Sequence, residues 1–257
     1  MCGIAGIVCS NNQNIEKELV HKMTDLIRHR GPDSYGYYFD EGVGFGHRRL
    51  SIIDIDGGHQ PMSDKNKSVW LTYNGEIYNF KDLRRELVNK GHIFQTNCDT
   101  EVIIYAYKEW GEEAFSHFNG MFAIAIWDQN NKKLVLARDR RGVKPLFWSK
   151  IGTKIFFSSE VKSIISNKKF IRKPNIDAIS SYLTFRQAIS DLTFFEGIEK
   201  LLPGHYLVFK NNEIKINKYY DLPINNNKED LGYKFYLKGV KEKLDFSVKQ
   251  RMISDVP

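Results

Sequence analysis

A cysteine at position 2, directly after the initiator methionine, is the residue whose type and place most strongly suggest chemistry. Removal of Met1 is expected because the second residue is small, and it leaves a cysteine that carries a free α-amine. An amine of pKa ~8 beside a thiol of pKa ~8.5 combines a nucleophile and a base in one residue. The alternative is that Cys2 is a small buried hydrophobe, as we expect for Cys9. Position alone leaves both interpretations open.

Nucleophilic attack on an acyl group needs hydrogen-bond donors where negative charge develops. The segment Tyr73-Asn-Gly-Glu76 is predicted to follow a strand over Val69–Tyr73. It offers an Asn74 side-chain amide next to a Gly75 backbone N–H. The alternative is a tight hairpin turn, because Asn-Gly is the commonest hairpin signal.

Charged residues that could hold the ends of a substrate are present as well. Arg48-Arg49 precedes a predicted strand and could clamp a carboxylate in bidentate fashion, although a pair of surface arginines is the plainer interpretation. Asp99 precedes a predicted helix and could hold an ammonium group, or it could serve as a helix N-cap.

Metal and nucleotide chemistry lack a sequence signal. Asp54-Ile-Asp56-Gly57 begins like a calcium loop, but the twelfth position is Lys65 instead of Glu. The seven histidines show no HxxxH or HExxH spacing, and neither GxxxxGK[ST] nor GxGxxG occurs. We therefore expect no metal and no nucleotide loop in these residues.

Many short strands with a few interspersed helices predict an α+β sheet sandwich. Predicted strands are Cys2–Val8, Tyr35–Phe39, Gly44–Arg48, Ser51–Asp54, Val69–Tyr73, Met121–Trp127, Leu134–Arg138, Phe147–Ser149, Lys154–Ser158, Tyr206–Phe209 and Ile214–Tyr219. Phe147–Ser149 and Lys154–Ser158 are expected to extend the sheet that the hairpin before them begins. Predicted helices are Ile15–His29, one that Asn79 caps and that runs through Val88, Glu101–Trp110 and the amphipathic Leu231–Met252.

Composition places the chain among ordered cytoplasmic proteins. Its 257 residues are 42% hydrophobic and 27% charged, enough to bury a sizeable core. The longest clean apolar run, Met121–Trp127, is far shorter than the ~18 residues of a membrane span. The net charge of +7 comes from lysines scattered among apolar residues. We therefore expect neither membrane nor nucleic acid as a partner.

Seven motifs occur in a fixed order along the chain: Met1-Cys-Gly-Ile-Ala-Gly-Ile-Val8, Arg28-His-Arg-Gly-Pro-Asp33, Gly46-His-Arg-Arg-Leu-Ser-Ile52, Gln60-Pro61, Tyr73-Asn-Gly-Glu-Ile-Tyr-Asn79, Asp99-Thr-Glu101, and Ala137-Arg-Asp-Arg140 with Gly142 and Lys144-Pro145. Together they resemble the class II, N-terminal-nucleophile glutamine amidotransferase domain of glutamine-hydrolysing asparagine synthetases. The resemblance covers residues 2 to about 220. It implies a four-layer αββα sandwich with two antiparallel sheets.

The resemblance also implies a role for each matching residue. Cys2 attacks the side-chain amide carbon of L-glutamine to form a thioester, and Asn74 and Gly75 bind the oxyanion. Arg49 grips the substrate α-carboxylate with help from backbone groups of Leu50, Ser51, Ile52 and Ile53. Glu76 and Asp99 hold the α-amino end. Hydrolysis to glutamate and ammonia by this route needs no cofactor.

Residues 226–257 are expected to open a second unit, because the helix Leu231–Met252 cannot bury its apolar stripe alone. In the family, Arg251-Met-Ile-Ser-Asp-Val-Pro257 leads into an ATP- and Mg²⁺-using synthetase domain that is the expected partner and ammonia acceptor. The chain is therefore expected to supply the glutaminase half. The alternatives are a different acceptor carboxylate (a sugar, peptide or antibiotic precursor) and a non-catalytic module with the same fold. A homodimer is a candidate assembly.

Overall fold

The computed structural model describes residues 1–11, 13–51, 54, 57–223, 229–253 and 255. Within them, the strands are β1 (Gly3–Cys9), β2 (Ser34–Asp40), β3 (Val43–Arg49), β4 (Met62–Ser63), β5 (Val69–Ile77), β6 (Gly120–Asp128), β7 (Lys133–Arg138), β8 (Phe147–Ile151), β9 (Lys154–Ser158), β10 (Glu199–Lys200), β11 (His205–Lys210) and β12 (Glu213–Lys218). The α-helices are α1 (Lys17–Asp25), α2 (Phe80–Asn89), α3 (Asp99–Trp110), α4 (Ala114–His117), α5 (Val161–Ile165), α6 (Ile176–Phe185) and α7 (Tyr233–Arg251).

These strands form two six-stranded sheets in which every pairing is antiparallel. The first sheet has the order β10-β8-β9-β1-β3-β2, and the second has the order β12-β11-β7-β6-β5-β4. The first sheet joins the N-terminal strand to β9 about 150 residues later, which gives the fold long-range connectivity.

Strand alternation builds the layers. In β1, Ile4 and Val8 face the other sheet, whereas Ala5 and Ile7 face α1 and α5. In β6, Ala123 lies in the layer between the sheets, where Trp127 also packs. The outer face of the second sheet packs against α2 and α3. The result is a helix–sheet–sheet–helix sandwich, and the fold prediction of four αββα layers with two antiparallel sheets is confirmed.

Several predicted elements differ from the observed ones. The strand expected to end at Tyr73 continues as β5 to Ile77, so Asn74-Gly75 is strand backbone and not a hairpin turn. The hairpin β8–β9 pairs with β1 instead of extending the sheet of β6 and β7. The predicted strand Ser51–Asp54 falls largely outside the described residues.

Two predicted helix caps also differ. Asn79 occupies the N-cap position of α2, but its side chain bonds the backbone of His117 and Asn119 instead of the helix. The helix α3 begins at Asp99 itself, two residues earlier than predicted, with Cys98 at its N-cap position. The Asp99 carboxylate accepts hydrogen bonds from Tyr73 and Ile77 of β5.

The end of α7 contacts the sandwich. Gln250 Oε1 accepts a hydrogen bond of 2.8 Å from Asn119 Nδ2, and the Arg251 guanidinium lies 4.6 Å from the Tyr78 ring centroid. Ile253 packs against the cluster between the second sheet and its helices. The rest of α7 has no buried residue.

Candidate active site

The register of the sheets brings three predicted site residues to one end of the layer between them. Gly3 pairs with Arg48, so Cys2 lies beside Arg49 at the end of that pairing. The two-residue period that points Ile4 and Phe45 between the sheets points Cys2 and Arg49 the same way. In β5 of the opposite sheet, Trp70 faces this layer. Asn74 lies four residues later in the same strand, so its side chain points to the same face.

These residues border a cavity of about 210 Å³. Its walls are Met1, Cys2, Arg49, Leu50, Gly58, Gln60, Tyr73, Asn74, Gly75, Glu76, Asp99, Thr100, Met121 and Lys144. Seven of the ten predicted site residues are among them. Ser51 is not: its backbone N–H donates to Asp33 Oδ2 at 2.8 Å. Ile52 and Ile53 lie outside the described residues.

The Cys2 thiol is held by the backbone that follows β3. Leu50 N–H donates to Cys2 Sγ at 3.3 Å, and Arg30 Nε–H donates to the Cys2 carbonyl at 3.0 Å. Burial raises the pKa of the Cys2 thiol, while the Leu50 hydrogen bond and the nearby positive charges act in the opposite direction. A half-buried thiol of this kind is fixed in direction but needs a base to become a nucleophile.

Asn74 presents an unused donor. Its side chain is 1% exposed, and its Nδ2 has no hydrogen-bond partner among the described residues. A buried amide N–H without a partner costs about 1–3 kcal/mol, so such groups are rare without a function. Since Asn74 lines the cavity, its free donor is available to an oxygen atom bound there.

Gly75 adds a second donor by strand alternation. The backbone N–H groups of Tyr73 and Ile77 leave the same edge of β5 and donate to Gln60 Oε1 at 2.6 Å and Asp99 Oδ2 at 3.0 Å. The Gly75 N–H lies between them on that edge, where the cavity is. A Cβ at Gly75 would stand 2.2 Å from Met121 O. Only glycine fits this strand position.

Arg49 supplies a buried guanidinium to the cavity. Its side chain is 5% exposed, and Nη2 donates to the Asp54 carbonyl at 2.7 Å. A Cβ at Gly58 would lie 2.3 Å from Nη2, so a glycine there makes room for the guanidinium. A guanidinium fixed in this way suits bidentate binding of a carboxylate.

Two carboxylates also line the cavity. Asp99 Oδ2 accepts hydrogen bonds from Tyr73 Oη at 2.9 Å and from Ile77 N–H. Burial raises the pKa of Asp99, and these hydrogen bonds act to lower it. Burial also raises the pKa of Glu76, which Lys144 opposes. The cavity thus joins a thiol, oxyanion donors, a cation for a carboxylate and carboxylates for an ammonium group.

Comparisons with known proteins give this arrangement a family. Residues 1–220 match the glutamine amidotransferase domain. The chain belongs to that family. Over its full length it is similar to two asparagine synthetases [glutamine-hydrolyzing] of Bacillus subtilis (strain 168), numbers 3 and 1, at 36% and 38% identity. It spans 42% and 41% of their lengths.

A solved structure shows the same fold. Glutamine phosphoribosylpyrophosphate amidotransferase from B. subtilis superposes with a TM-score of 0.61 at 18% identity, covering 85% of this chain and 49% of that one. The prediction of a class II glutamine amidotransferase domain is confirmed. The individual residue roles stay predictions.

Gln60 and Lys144 are among the cavity residues of this amidotransferase domain that received no role from the sequence. Gln60 and Lys144 both stand in motifs that carried the family resemblance, each directly before a proline. Gln60 fixes β5 through Tyr73 N–H, and Lys144 brings a buried ammonium to the cavity. The sequence could have pointed to both residues. Each is a polar residue inside one of the family motifs, and exposure at the surface does not explain its presence there.

Two further observations concern the described part of the chain. His, Cys, Asp and Glu side chains form no group of three or more there that could hold a metal ion. No helix in the described ranges is long and apolar enough to cross a membrane.

Proposed function

We propose that this amidotransferase domain hydrolyses L-glutamine to glutamate and ammonia through a thioester on Cys2. The observation that carries the proposal is the buried, unpartnered Asn74 Nδ2 in the same cavity as the Cys2 thiol. In the resting cavity this donor has no partner among the residues that the structure describes. The oxyanion formed by attack on an amide carbon provides one.

Removal of Met1 is the first step. Met1 itself lines the cavity, so its loss enlarges the space beside the thiol and transfers the α-amine to Cys2. The neutral amine takes the thiol proton as sulfur attacks the amide carbon of glutamine. The resulting oxyanion accepts hydrogen bonds from Asn74 Nδ2 and Gly75 N–H.

Collapse of the tetrahedral intermediate breaks the C–N bond. The protonated α-amine returns the proton to the leaving nitrogen, which departs as ammonia. Water, deprotonated by the same amine, attacks the thioester and releases glutamate and the thiol. Arg49 holds the substrate α-carboxylate, and Asp99 with Glu76 holds the α-ammonium group. These two anchors fix how long the substrate side chain must be for its amide to reach Cys2.

In the complete protein we assign the ammonia to asparagine formation from aspartate, on the strength of the relatives' names. ATP and Mg²⁺ belong to the activation of that acceptor, and the hydrolysis at Cys2 uses neither. The unit proposed for residues 226–257, which includes α7, belongs to this acceptor half, and the amidotransferase domain is assigned to residues 2–220. The complete protein is expected to make asparagine from aspartate, ATP and glutamine.

The test combines intact mass with turnover. We expect a mass without Met1, release of glutamate and ammonia from glutamine, and one adduct with the glutamine-mimicking electrophile 6-diazo-5-oxonorleucine. Cys2→Ala should abolish both the adduct and turnover, while Cys9→Ala, a matched buried cysteine, should retain the adduct. Turnover that persists in Cys2→Ala, or an adduct on another residue, overturns the proposal.

A further inference from the structure

Lys144 is the charged cavity residue for which the proposed mechanism has no task. It lies in the loop after β7, and Asp139 organises that loop by accepting hydrogen bonds from the backbone N–H groups of Arg141, Val143 and Lys144 at 3.0 Å. The Lys144 carbonyl accepts from Arg138 Nε at 2.8 Å. The backbone of Lys144 is therefore fixed on both sides.

The Lys144 side chain is buried without a direct ion pair. It is 6% exposed, and among the described residues no carboxylate oxygen comes within 4.0 Å of its ammonium. Taking an ammonium out of water without a paired carboxylate is costly. Lys108 shows the usual solution, with its Nζ 2.6 Å from Asp64 Oδ2. A lysine kept in the cavity at such a cost is placed there to act on other groups.

Lys144 shares its cavity with Glu76, Cys2 and Met1. Its charge interacts most strongly with Glu76, then with the Cys2 thiol, and it also acts on the α-amine of Met1. Burial lowers the pKa of the Met1 α-amine, the Cys2 thiol and Asp33 raise it, and Lys144 and Arg30 lower it. Burial also lowers the pKa of Lys144 itself, against the effect of Glu76.

The other two cations near the thiol, Arg30 and Arg49, already have a partner or a task. Arg30 Nη1 pairs with Glu160 Oε1 at 3.2 Å and its Nε with the Cys2 carbonyl. Arg49 donates to the Asp54 carbonyl and lies at the pole for the substrate carboxylate. Lys144 has neither task, and its charge acts on Glu76 and, in the same cavity, on the thiol and the amine.

We propose that Lys144 is a positioning residue for the reaction, whose fixed positive charge keeps the Cys2 α-amine neutral and the Cys2 sulfur anionic enough to react. The inference rests on the proposed function. It works by repulsion: a protonated amine beside a buried ammonium is disfavoured, so the amine loses its proton at a lower pH. The same ammonium attracts the thiolate.

The test compares Lys144→Met, which removes the charge, with Lys144→Arg, which keeps it. Lys168→Met serves as a matched control because Lys168 is exposed. In Lys144→Met the acidic limb of the kcat/KM profile should move to higher pH by about one unit, which is a ~10-fold loss below the limb. Lys144→Arg and Lys168→Met should keep the wild-type limb. An unmoved limb in Lys144→Met overturns the inference.

A second readout does not require turnover. The rate of Cys2 alkylation by iodoacetamide, followed by intact mass across pH, reports the thiolate directly. Its midpoint should rise in Lys144→Met and return in Lys144→Arg, with thermal unfolding confirming that each variant is folded. Equal midpoints in wild type and Lys144→Met refute a role through charge, even where activity falls. If the wild type has no glutaminase activity, the proposed function is contradicted instead. A shift of the alkylation midpoint in Lys144→Met would still support the electrostatic role in that case.

Discussion

At the scale of single residues, Asn74 makes the sharpest kinetic prediction. Asn74→Ala removes a donor that acts only on the oxyanion, so kcat should fall ~10²–10³-fold with little change in KM. Because Nδ2 has no partner in the described residues, the substitution breaks no hydrogen bond of the resting fold, and the unfolding temperature should change little. Ammonia release under varied glutamine measures both constants.

Asn217→Ala is the matched control, because Asn217 is an exposed strand asparagine outside the cavity. It should retain wild-type kcat. A fall in Asn74→Ala that is carried by KM alone would assign Asn74 to ground-state binding and would remove it from the oxyanion hole.

His47 predicts a dependence of stability on pH. Its ring is fully buried between the sheets with Nδ1 3.1 Å from Thr72 Oγ1, and burial lowers the pKa of His47 to about 3. The unfolded histidine titrates at about 6.5, so between these values the unfolded chain binds the extra proton. The free energy of unfolding should therefore fall as pH drops from about 6.5 toward 3, by up to about 1.4 kcal/mol per pH unit.

Urea unfolding of wild type and His47→Gln at several pH values measures this contribution. The variant should lose less stability on acidification than wild type does. His59→Gln, at an exposed histidine, should keep the wild-type slope. An unchanged slope in His47→Gln would assign the acid sensitivity to other groups.

At the scale of elements, β5 must deliver Asn74 and Gly75 without breaking its pairing to β6. Gly75→Ala places a Cβ 2.2 Å from Met121 O and 2.7 Å from Phe122 Cα, so strand separation or local distortion follows. We expect a loss of about 1–3 kcal/mol in the free energy of unfolding and loss of glutaminase activity. Gly239→Ala in α7 meets no atom within 4 Å and should be neutral or stabilising. A Gly75→Ala protein of wild-type stability would show that this backbone can move.

The elements predicted well from the sequence are those defined by local pattern. The hairpin of β6 and β7 follows from two continuous apolar runs on either side of a polar turn, and β11 with β12 follows from two further strand-like segments around a polar turn. The pairing of β9 with β1 could not be predicted, because it depends on contacts between residues about 150 positions apart. Strand propensity carries no information about which distant strand will be the partner.

The site shows the same division. Cys2 and Arg49 were suggested by their chemical types and their motifs, whereas their neighbouring placement arises from the register of β1 against β3. Asn-Gly predicted a turn, but pairing with β6 continues through both residues and overrides the local signal. Asp99 was a plausible helix cap until packing turned its carboxylate to the Tyr73 hydroxyl. The burial of Lys144 depends on the Asp139-centred loop, which has no simple pattern in sequence.

At the scale of the whole molecule, α7 is the element that the sandwich leaves uncovered. Leu237, Val240, Leu244 and Val248 form an apolar stripe along it and are 51–65% exposed. Phe235 and Phe246 are 58% and 57% exposed on the same helix. Among the described residues, Gln250 and Arg251 in its final turn and Ile253 after it contact the sandwich. A helix with this much exposed apolar surface favours association with other apolar surfaces.

We therefore expect residues 1–257 to self-associate through α7 as concentration rises, without loss of glutaminase activity. Leu237→Glu combined with Leu244→Glu should lower the apparent mass in light scattering coupled to gel filtration, because the added charges make burial of the stripe costly. Lys243→Gln with Lys249→Gln changes the net charge by the same amount at α7 positions outside the stripe and should leave association unchanged. Because none of the four substituted side chains lines the cavity of Cys2 and Asn74, kcat should be the same in both double variants. Association that persists in Leu237→Glu with Leu244→Glu would assign it to another surface, of which the exposed side chains of Leu183 and Phe185 on α6 are the next candidates.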